Sequence, residues 1–514
     1  MANPESLRDI LTDCLHRPWL VGVDPAAFAQ RVQARQRAIA LALRNNIAPA
    51  LRSNIAHQIA PWDTRPPATL LIAEPDPLNF LASLCAALLS DELEGWAIAL
   101  GNPAWGVQEW FQLHSQLPAV TILTPTSPAS LPPPATLTPT YLAHPHPPAS
   151  SPPTLLIPTG GSSGQLRFAH HTEETLLASV QGFREFFQPD LADAPVNCCC
   201  VLPLYHVSGL MQALRSAVSG GQLALGSFKA LEKGDYPAIA PEGFFLSLVP
   251  TQLQRLLDSP AGADWLRRFH TILLGGAPAW DDLLIQARQQ GLRLAPTYGM
   301  TETASQIATL RPAEFLAGET GCGGVLPHAQ VEIVDEAGKL LPTGEVGRIQ
   351  IRAASLARGY WGEPAFGDQW AADDLGWLDA AGRLHIAGRS SDKIITGGEN
   401  VFPVEVEAVI RATGLVRDVA VVGVGDRHWG EVVTALYVPA TPQVSPSRLE
   451  ASLRGKLSRF KQPKRWVAAD SIPRSAQGKL NRRQLAEFLQ AAQSAIGDRG
   501  FVIDPPSPET ARNA

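Results

Sequence analysis

The chain has 514 residues, 45% of them hydrophobic and 18% charged, with a formal net charge of -6. This length fits about three domains or subdomains of ~150 residues each, and the composition excludes global disorder and binding to nucleic acid through overall basicity. No apolar run reaches the ~18 residues that span a bilayer, the start Met1-Ala2-Asn3-Pro4-Glu5-Ser6 lacks the basic and apolar regions of a signal peptide, and six cysteines are too few for a disulfide scaffold, so a soluble protein of the cytoplasm is expected.

Twelve of the 45 prolines fall between Leu117 and Pro153. Proline removes a backbone donor and fixes φ, so this stretch reads as an extended connection, with His144 and His146 in a solvated loop. Short apolar runs follow, bounded by Gly or Pro: Leu155-Leu156-Ile157, then Cys198-Cys199-Cys200 (buried strand thiols, without zinc-ligand spacing), Phe244 to Val249 and Thr271 to Leu274. A helix-length segment, Thr251 to Phe269, lies between the last two. Buried strands alternating with helices predict α/β units around a largely parallel sheet.

Beyond Gly321 the pattern turns β-rich. Val331-Glu332-Ile333-Val334 and Arg348-Ile349-Gln350-Ile351 alternate with period two, and Asp335-Glu336-Ala337-Gly338 supplies a turn. A fresh mixed pattern starts near Arg389. Pro403 opens a helix with Val406, Val409 and Ile410 on one face. Val419–Val424 and Val432–Val438 read as strands, Ser447–Phe460 and Asn481–Ala492 as helices, and the tail after Arg499 folds weakly. The predicted fold is α/β, with a large domain over 1–388 made of α/β subdomains and a β-rich subdomain, and a smaller α+β domain over 389–514.

Five segments carry chemistry. Pro158-Thr159-Gly160-Gly161-Ser162-Ser163-Gly164-Gln165-Leu166-Arg167 follows a strand; glycines let the backbone approach an oxyanion, hydroxyls and N–H groups hold phosphate oxygens, and Arg167 adds charge. It lacks the Gly-Lys-Ser/Thr of a Walker loop. Gly160-x-Ser162-x-Gly164 also matches a hydrolase nucleophile elbow, which requires a helix straight after the serine; Gln165 to Thr172 shows no apolar stripe for one. Tyr298-Gly299-Met300-Thr301-Glu302-Thr303 follows the strand Leu292–Ala295: a tyrosine to face a base, a threonine for a phosphate, a glutamate for Mg²⁺, or simply a capped turn. Asp373-Asp374 with Gly388-Arg389 can hold ribose hydroxyls or form an exposed turn. Thr396-Gly397-Gly398-Glu399 precedes a helix and suits close approach to a ligand. Gly478-Lys479 lies just before a helix, where a solvated lysine is the default.

In order and spacing, these five segments resemble the adenylate-forming superfamily of acyl-CoA synthetases, luciferases and peptide-synthetase adenylation domains, from about Leu155 to Leu485. Asp392 to Glu407 is most similar to the acyl-CoA ligases. Pro203 to Leu210, Leu274-Gly275-Gly276-Ala277 and Tyr298 to Gln306 resemble those that act on 2-succinylbenzoate in menaquinone and phylloquinone synthesis. Arg167 stands where the family usually has Lys, Leu166 where it has Pro, and Gly160 where it has Ser.

The resemblance implies a two-step ligation with ATP, Mg²⁺, CoA and a small-molecule carboxylate as partners. Lys479, Glu302, Thr301 and His206 would be catalytic, with Glu302 on Mg²⁺. Thr159, Gly161, Ser162, Ser163, Gly164 and Arg167 would hold phosphates, Tyr298 adenine, and Asp374 and Arg389 ribose. The smaller domain would rotate about a hinge at Ser391, within 389–392, bringing Gly397 and Gly398 to the site. Ser208, Gly276 and Arg215 would line the acid pocket. Arg215 follows His206 by nine residues inside the apolar helical stretch Leu210–Val218, where a charge otherwise has little reason to be. From Arg448 to Arg483 there are eleven Lys/Arg and two acidic residues, either a solvated face or an attraction for the phosphates of CoA. Alternatives are ligation of another acyl or aryl acid, a peptide-synthetase-like adenylation domain, and a serine hydrolase using Ser162. Oligomeric state leaves no signal in the sequence.

Overall fold

A computed structural model describes residues 6–54, 69–117, 120–123, 152–160, 165–474 and 480–496. Four sheets organise them. The first has the order Val120–Leu123, Thr69–Ile72, Ala97–Leu100, Thr154–Gly160, Leu166–His171. Its strands are parallel except the last, which runs antiparallel to its neighbour. The second has seven strands. Leu223–Leu225, Asn197–Cys200, Phe244–Leu248, Thr271–Leu274 and Leu294–Met300 are parallel, and Ser305–Thr309 and Gly324–Val325 close it antiparallel.

Strand period two places these sheets in layers. Leu70, Ile72, Ile98, Leu100, Leu155 and Ile157 enter a core with Cys198, Cys200, Phe183, Phe187 and helix Val207–Ser219. Their neighbours Leu71, Ala97, Ala99 and Leu156 face the opposite side with Trp110 and Phe168. Helices Pro250–Leu257, Pro260–Arg267 and Asp281–Gln289 cover the outer face of the second sheet.

The third sheet is antiparallel: Ala329–Val334, Gly347–Ala353, Trp370–Leu378, Leu384–Arg389. Its Ile333, Ile349, Ile351 and Leu384 pack on Tyr298 and Ile307 of the second sheet. The fourth contains Ile394–Thr396, Glu399–Val401, Val416–Asp426, Gly430–Pro439 and Arg465–Ala468. It buries Val419, Val421 and Val433 on one face and Val422, Val424 and Val432 on the other. No described helix is long and apolar enough to cross a membrane.

Several expectations change. The proline-rich stretch is more than connection, because Val120–Leu123 forms the edge strand of the first sheet; residues 118–119 and 124–151 lie outside the described residues, as does the tail after Arg499. Thr251 to Phe269 is two helices, because Ser259 caps a new one whose first residue is Pro260. The helix expected over Ser447–Phe460 ends at Leu453, where Arg454 turns extended and Gly455 takes φ +75°. The turn at Asp335–Gly338 forms, but it closes only a Val334–Leu340 bridge; the partner strand begins later, at Gly347.

The three consecutive cysteines are buried in strand Asn197–Cys200. Burial pushes the thiols of Cys198 and Cys200 up to about 12 and raises Cys199 as well. The thiolate is the reactive form, so none of the three is expected to react with Ellman's reagent in native protein near neutral pH, and all three react once denaturant is added. Rapid native labelling of any of them, located by mass spectrometry, would contradict this packing.

Candidate active site

The strands flanking the glycine- and serine-rich loop, the Tyr298–Thr303 segment and the Asp374–Arg389 pair lie where the first three sheets abut. Strands Thr154–Gly160 and Leu166–His171 pair antiparallel, Gly160 opposite Leu166. The glycine- and serine-rich loop therefore joins two strands of a hairpin, and no helix follows it, so the nucleophile-elbow context is absent. Gly161, Ser162, Ser163 and Gly164 lie outside the described residues, as does Lys479. Thr159 sits opposite Arg167 in the register. The Arg167 Nε meets Glu363 at 3.1 Å, and its guanidinium lies 4.9 Å from the Tyr360 ring centre.

The tyrosine motif starts inside its strand: Leu294–Met300 runs through Tyr298 and Gly299, further than Leu292–Ala295. The register against Ser305–Thr309 shifts between Tyr298 and Gly299. At Gly299 a Cβ would lie 2.2 Å from the Ser305 carbonyl oxygen, so only glycine allows this approach. A 3₁₀ turn, Thr301–Thr303, follows. Ala304 and Ser305 then take φ +49° and +99°, which is costly for non-glycine residues. Side-chain hydrogen bonds hold them there: Ser179 Oγ donates to the Ala304 carbonyl (2.6 Å) and Thr303 Oγ1 to the Ser305 carbonyl (2.7 Å). His171 Nε2 donates to the Thr301 carbonyl (2.8 Å). Burial lowers this imidazole to about 4, so it is neutral at pH 7.

Glu302 is buried, and its Oε1 accepts the Tyr360 hydroxyl at 2.6 Å. Burial and then the Glu302 charge raise the Tyr360 phenol, which keeps its proton as the donor. Asp374 joins two partners. Tyr298 donates to its Oδ2 at 2.8 Å and Arg389 Nε to its Oδ1 at 3.0 Å. Asp374 and Arg389 are directly opposed on adjacent strands.

Next to this pair, the Asp373 carboxylate accepts from the Ser391 amide (3.2 Å) and hydroxyl, and its carbonyl accepts from the Ser390 amide. Gly397 and Gly398 have φ +60° and +85° and form the tip of the hairpin Ile394–Thr396/Glu399–Val401. They do not lead directly into a helix; the second strand intervenes before Pro403–Arg411.

Arg215, on helix Val207–Ser219, is 2% exposed, and its Nη2 donates to Ser305 Oγ at 3.0 Å. His206 caps that helix, its ring edge-on to Tyr205, with Ser208 exposed in the first turn. Gly276 lies exposed beyond strand Thr271–Leu274 with φ +79°. Of the eleven cations between Arg448 and Arg483, five are neutralised internally: Lys461 by Glu405, Arg465 by Asp426, Arg474 by Asp418, Arg482 by Glu407 and Asp392, and Arg483 by Glu487. Among the described residues the free basic face is smaller than the composition implies.

Tyr360, His171 and Arg482 were not singled out in the sequence. The neighbouring Arg358-Gly359-Tyr360-Trp361 was the only local signal for Tyr360. Among the described residues no group of three or more His, Cys, Asp or Glu forms a metal cluster. Glu302 is a single hard oxygen donor beside hydroxyls, which fits Mg²⁺, an ion bound through one or two carboxylates plus phosphates and water.

A model of the AMP-binding enzyme family matches residues 94–361, and one of the AMP-binding enzyme C-terminal domain matches 405–479. The chain belongs to the AMP-binding enzyme family. The match begins at residue 94, well before the Leu155 where the resemblance was first legible. A 2-succinylbenzoate–CoA ligase from Enterococcus faecalis is 33% identical over 335 residues, 63% of this chain and 67% of that protein. Another from Geobacillus kaustophilus is 37% identical over 304 residues, 57% of this chain and 61% of that protein. The match thus spans about three fifths to two thirds of these relatives' lengths. The solved o-succinylbenzoate CoA synthetase of Bacillus subtilis, in complex with an acyl-adenylate intermediate, is 26% identical with a TM-score of 0.69, covering 88% of this chain and 92% of that one. A second structure of that synthetase, with ATP and magnesium ion, is 25% identical with a TM-score of 0.65, covering 82% and 90%.

Tyr298→Phe removes the donor to a buried carboxylate and leaves Asp374 Oδ2 without it. A hydrogen bond to a charged acceptor contributes ~1.5–3 kcal/mol, so the urea midpoint of the variant falls and its AMP affinity, by calorimetry, weakens. An unchanged midpoint and affinity would show that this bond supports neither the fold nor the site.

Proposed function

We propose that the protein ligates 2-succinylbenzoate to CoA with ATP. The substrate carboxylate attacks the α-phosphorus, giving the acyl-adenylate and pyrophosphate; the CoA thiol then attacks the acyl carbon and AMP leaves. The observation that carries this reading is the buried Arg215 guanidinium hydrogen-bonded to Ser305, at the end of the Tyr298–Gln306 segment. A dicarboxylate brings one carboxylate to the phosphate and one that must be buried as an anion, which is costly without a cation. A ligase for a fatty acid or plain benzoate has no such need. The names of the relatives point to the same acid.

In this reading, Thr159, Ser162, Ser163 and Thr301 bind phosphate oxygens, with Gly161 and Gly164 admitting the backbone. Arg167 adds charge from a position shared with Glu363. Tyr298, Asp374 and Arg389 form the nucleoside wall. Glu302 holds Mg²⁺, which supplies neutralisation of phosphate charge. Attack brings two anions together, and Lys479 lies between carboxylate and α-phosphate to offset their repulsion. His206 and Ser208, at the start of the Arg215 helix, and Gly276 line the path of the acid. The large unit, 1–388, and the small one, 389–514, form two domains joined at 389–392. Turning about Ser391 withdraws Lys479 after adenylation and presents the Gly397-Gly398 tip to the pantetheine of CoA. A serine hydrolase is disfavoured by the strand that follows the loop.

The deciding experiment is a carboxylate panel assayed for CoA-dependent pyrophosphate and AMP release. 2-Succinylbenzoate is expected to give the highest kcat/KM; faster turnover of another acid, with succinylbenzoate inert, would overturn the substrate assignment. Adenylate release without CoA would point to an adenylation domain instead. Arg215→Ala is expected to raise the KM for succinylbenzoate about tenfold or more, since loss of one partner of a buried charge pair is worth ~2–5 kcal/mol, while the KM for ATP stays nearly unchanged. Unaltered succinylbenzoate kinetics would remove Arg215 from the acid site.

A further inference from the structure

Glu302 is held twice by one short segment. The Ala357 amide donates to its backbone carbonyl at 2.8 Å, and the Tyr360 hydroxyl donates to its side-chain Oε1 at 2.6 Å. The glutamate is only 7% exposed, and that separation is typical of a charge-assisted O–H···O⁻ bond, the strong kind. Among the described residues Oε1 has this partner and Oε2 has none.

Tyr360 itself has little freedom. Its backbone forms a bridge with Ala169, flanked by bonds from the His170 amide to the Gly359 carbonyl (2.9 Å) and from the Trp361 amide to the Phe168 carbonyl (2.8 Å). Its ring meets Phe366 edge-on with centres 5.0 Å apart, and Phe366 stacks on Trp370. The Arg167 guanidinium covers the ring at 4.9 Å and is tied in turn to Glu363. Strand Leu166–His171 and the 357–370 segment together aim the hydroxyl at Glu302.

A carboxylate can bind an ion through both oxygens or through one. Ca²⁺, with about six to eight oxygen ligands, often takes both oxygens of one glutamate; Mg²⁺, confined to a smaller octahedron, is held through one or two carboxylates with phosphates and water. A proton donor fixed on Oε1 draws electron density from that oxygen and sets the plane of the group. Oε2 is then the better donor, and an even grip on a large ion is disfavoured.

We propose that Tyr360 makes Glu302 a one-oxygen ligand and so biases the site toward Mg²⁺ over Ca²⁺. Tyr360 is a positioning residue, acting through Glu302. The proposal rests on the reading of Glu302 as the residue that holds Mg²⁺. Removing the phenol oxygen frees the carboxylate to turn and present both oxygens.

The test measures binding rather than turnover. The full chain, without acid or CoA, is titrated by calorimetry with α,β-methylene-ATP, whose α–β bridge does not cleave, in Mg²⁺, in Ca²⁺ and in EDTA, and with AMP in EDTA. Tyr360→Phe is expected to lose about tenfold or more of the tightening that Mg²⁺ gives over EDTA, as when other groups that orient a metal ligand are removed. The tightening given by Ca²⁺ and the affinity for AMP are expected to stay within about twofold of wild type, so that the Mg²⁺/Ca²⁺ ratio falls about tenfold. An equal loss for AMP would mark Tyr360 as merely structural, and an unchanged ratio would show that it does not govern the ion; either result overturns the proposal. Glu302→Gln tests the reading beneath it and is expected to abolish the tightening by Mg²⁺. If that tightening persists, Glu302 does not hold the ion and the reading itself falls; if it disappears while Tyr360→Phe keeps the wild-type ratio, the proposal alone falls.

Discussion

The buried carboxylate of Asp374 holds the site together. One oxygen takes the Tyr298 hydroxyl from the second sheet, and the other takes Arg389 from the last strand of the third. A half-satisfied buried carboxylate is expensive, and a fully satisfied one fixes its surroundings. The two sheets therefore meet in one arrangement, and the strand leaving the third sheet is anchored just before Ser390 and Ser391. Those two residues are tied to the adjacent Asp373, so the start of the linker to the fourth sheet is set by the same pair of aspartates.

Charge is distributed so that few groups stand alone. Glu302 is oriented by Tyr360, and the Tyr360 ring is covered by Arg167, which is balanced by Glu363. This chain of contacts runs from the hairpin of the first sheet to the glutamate turn of the second, through the 360–363 segment that leads into the third. Arg482 does similar work in the fourth sheet: its Nη2 meets Glu407 at 3.0 Å and its Nε meets Asp392 at 3.4 Å, fixing the start of helix Arg482–Ile496. Arg215 is the exception, a buried cation whose described partners are a hydroxyl and an aromatic face.

Much of this was legible in the residues. Period-two alternation found Ala329–Val334 and Gly347–Ala353, and apolar runs found the buried parallel strands, because burial on one or both faces writes itself directly into composition. The motifs containing Tyr298, Asp374 and Arg389 were legible as a set, and the structure brings those three side chains into one hydrogen-bonded group. Tyr360 and His171 were not legible. Each reaches the Glu302 turn through a hydrogen bond to a residue far away in sequence, and a single Tyr or His among ordinary neighbours has no pattern to betray it. Helix ends failed for a different reason. The divisions at Pro260 and Arg454 depend on capping and on one backbone angle, which hydrophobic periodicity does not register.

The kink at Ala304 and Ser305 has an evolutionary corollary. In the proposed reading it sits between Glu302, on the nucleotide side, and the Ser305 hydroxyl that receives Arg215, on the acid side. Both ends of the site thus draw their alignment from one strained bend, clamped by Ser179 and Thr303. A change at Ser305 made to accept a different acid would also disturb the placement of Glu302. In that reading, drift toward a new acid by way of Ser305 carries a penalty in adenylation at every trial.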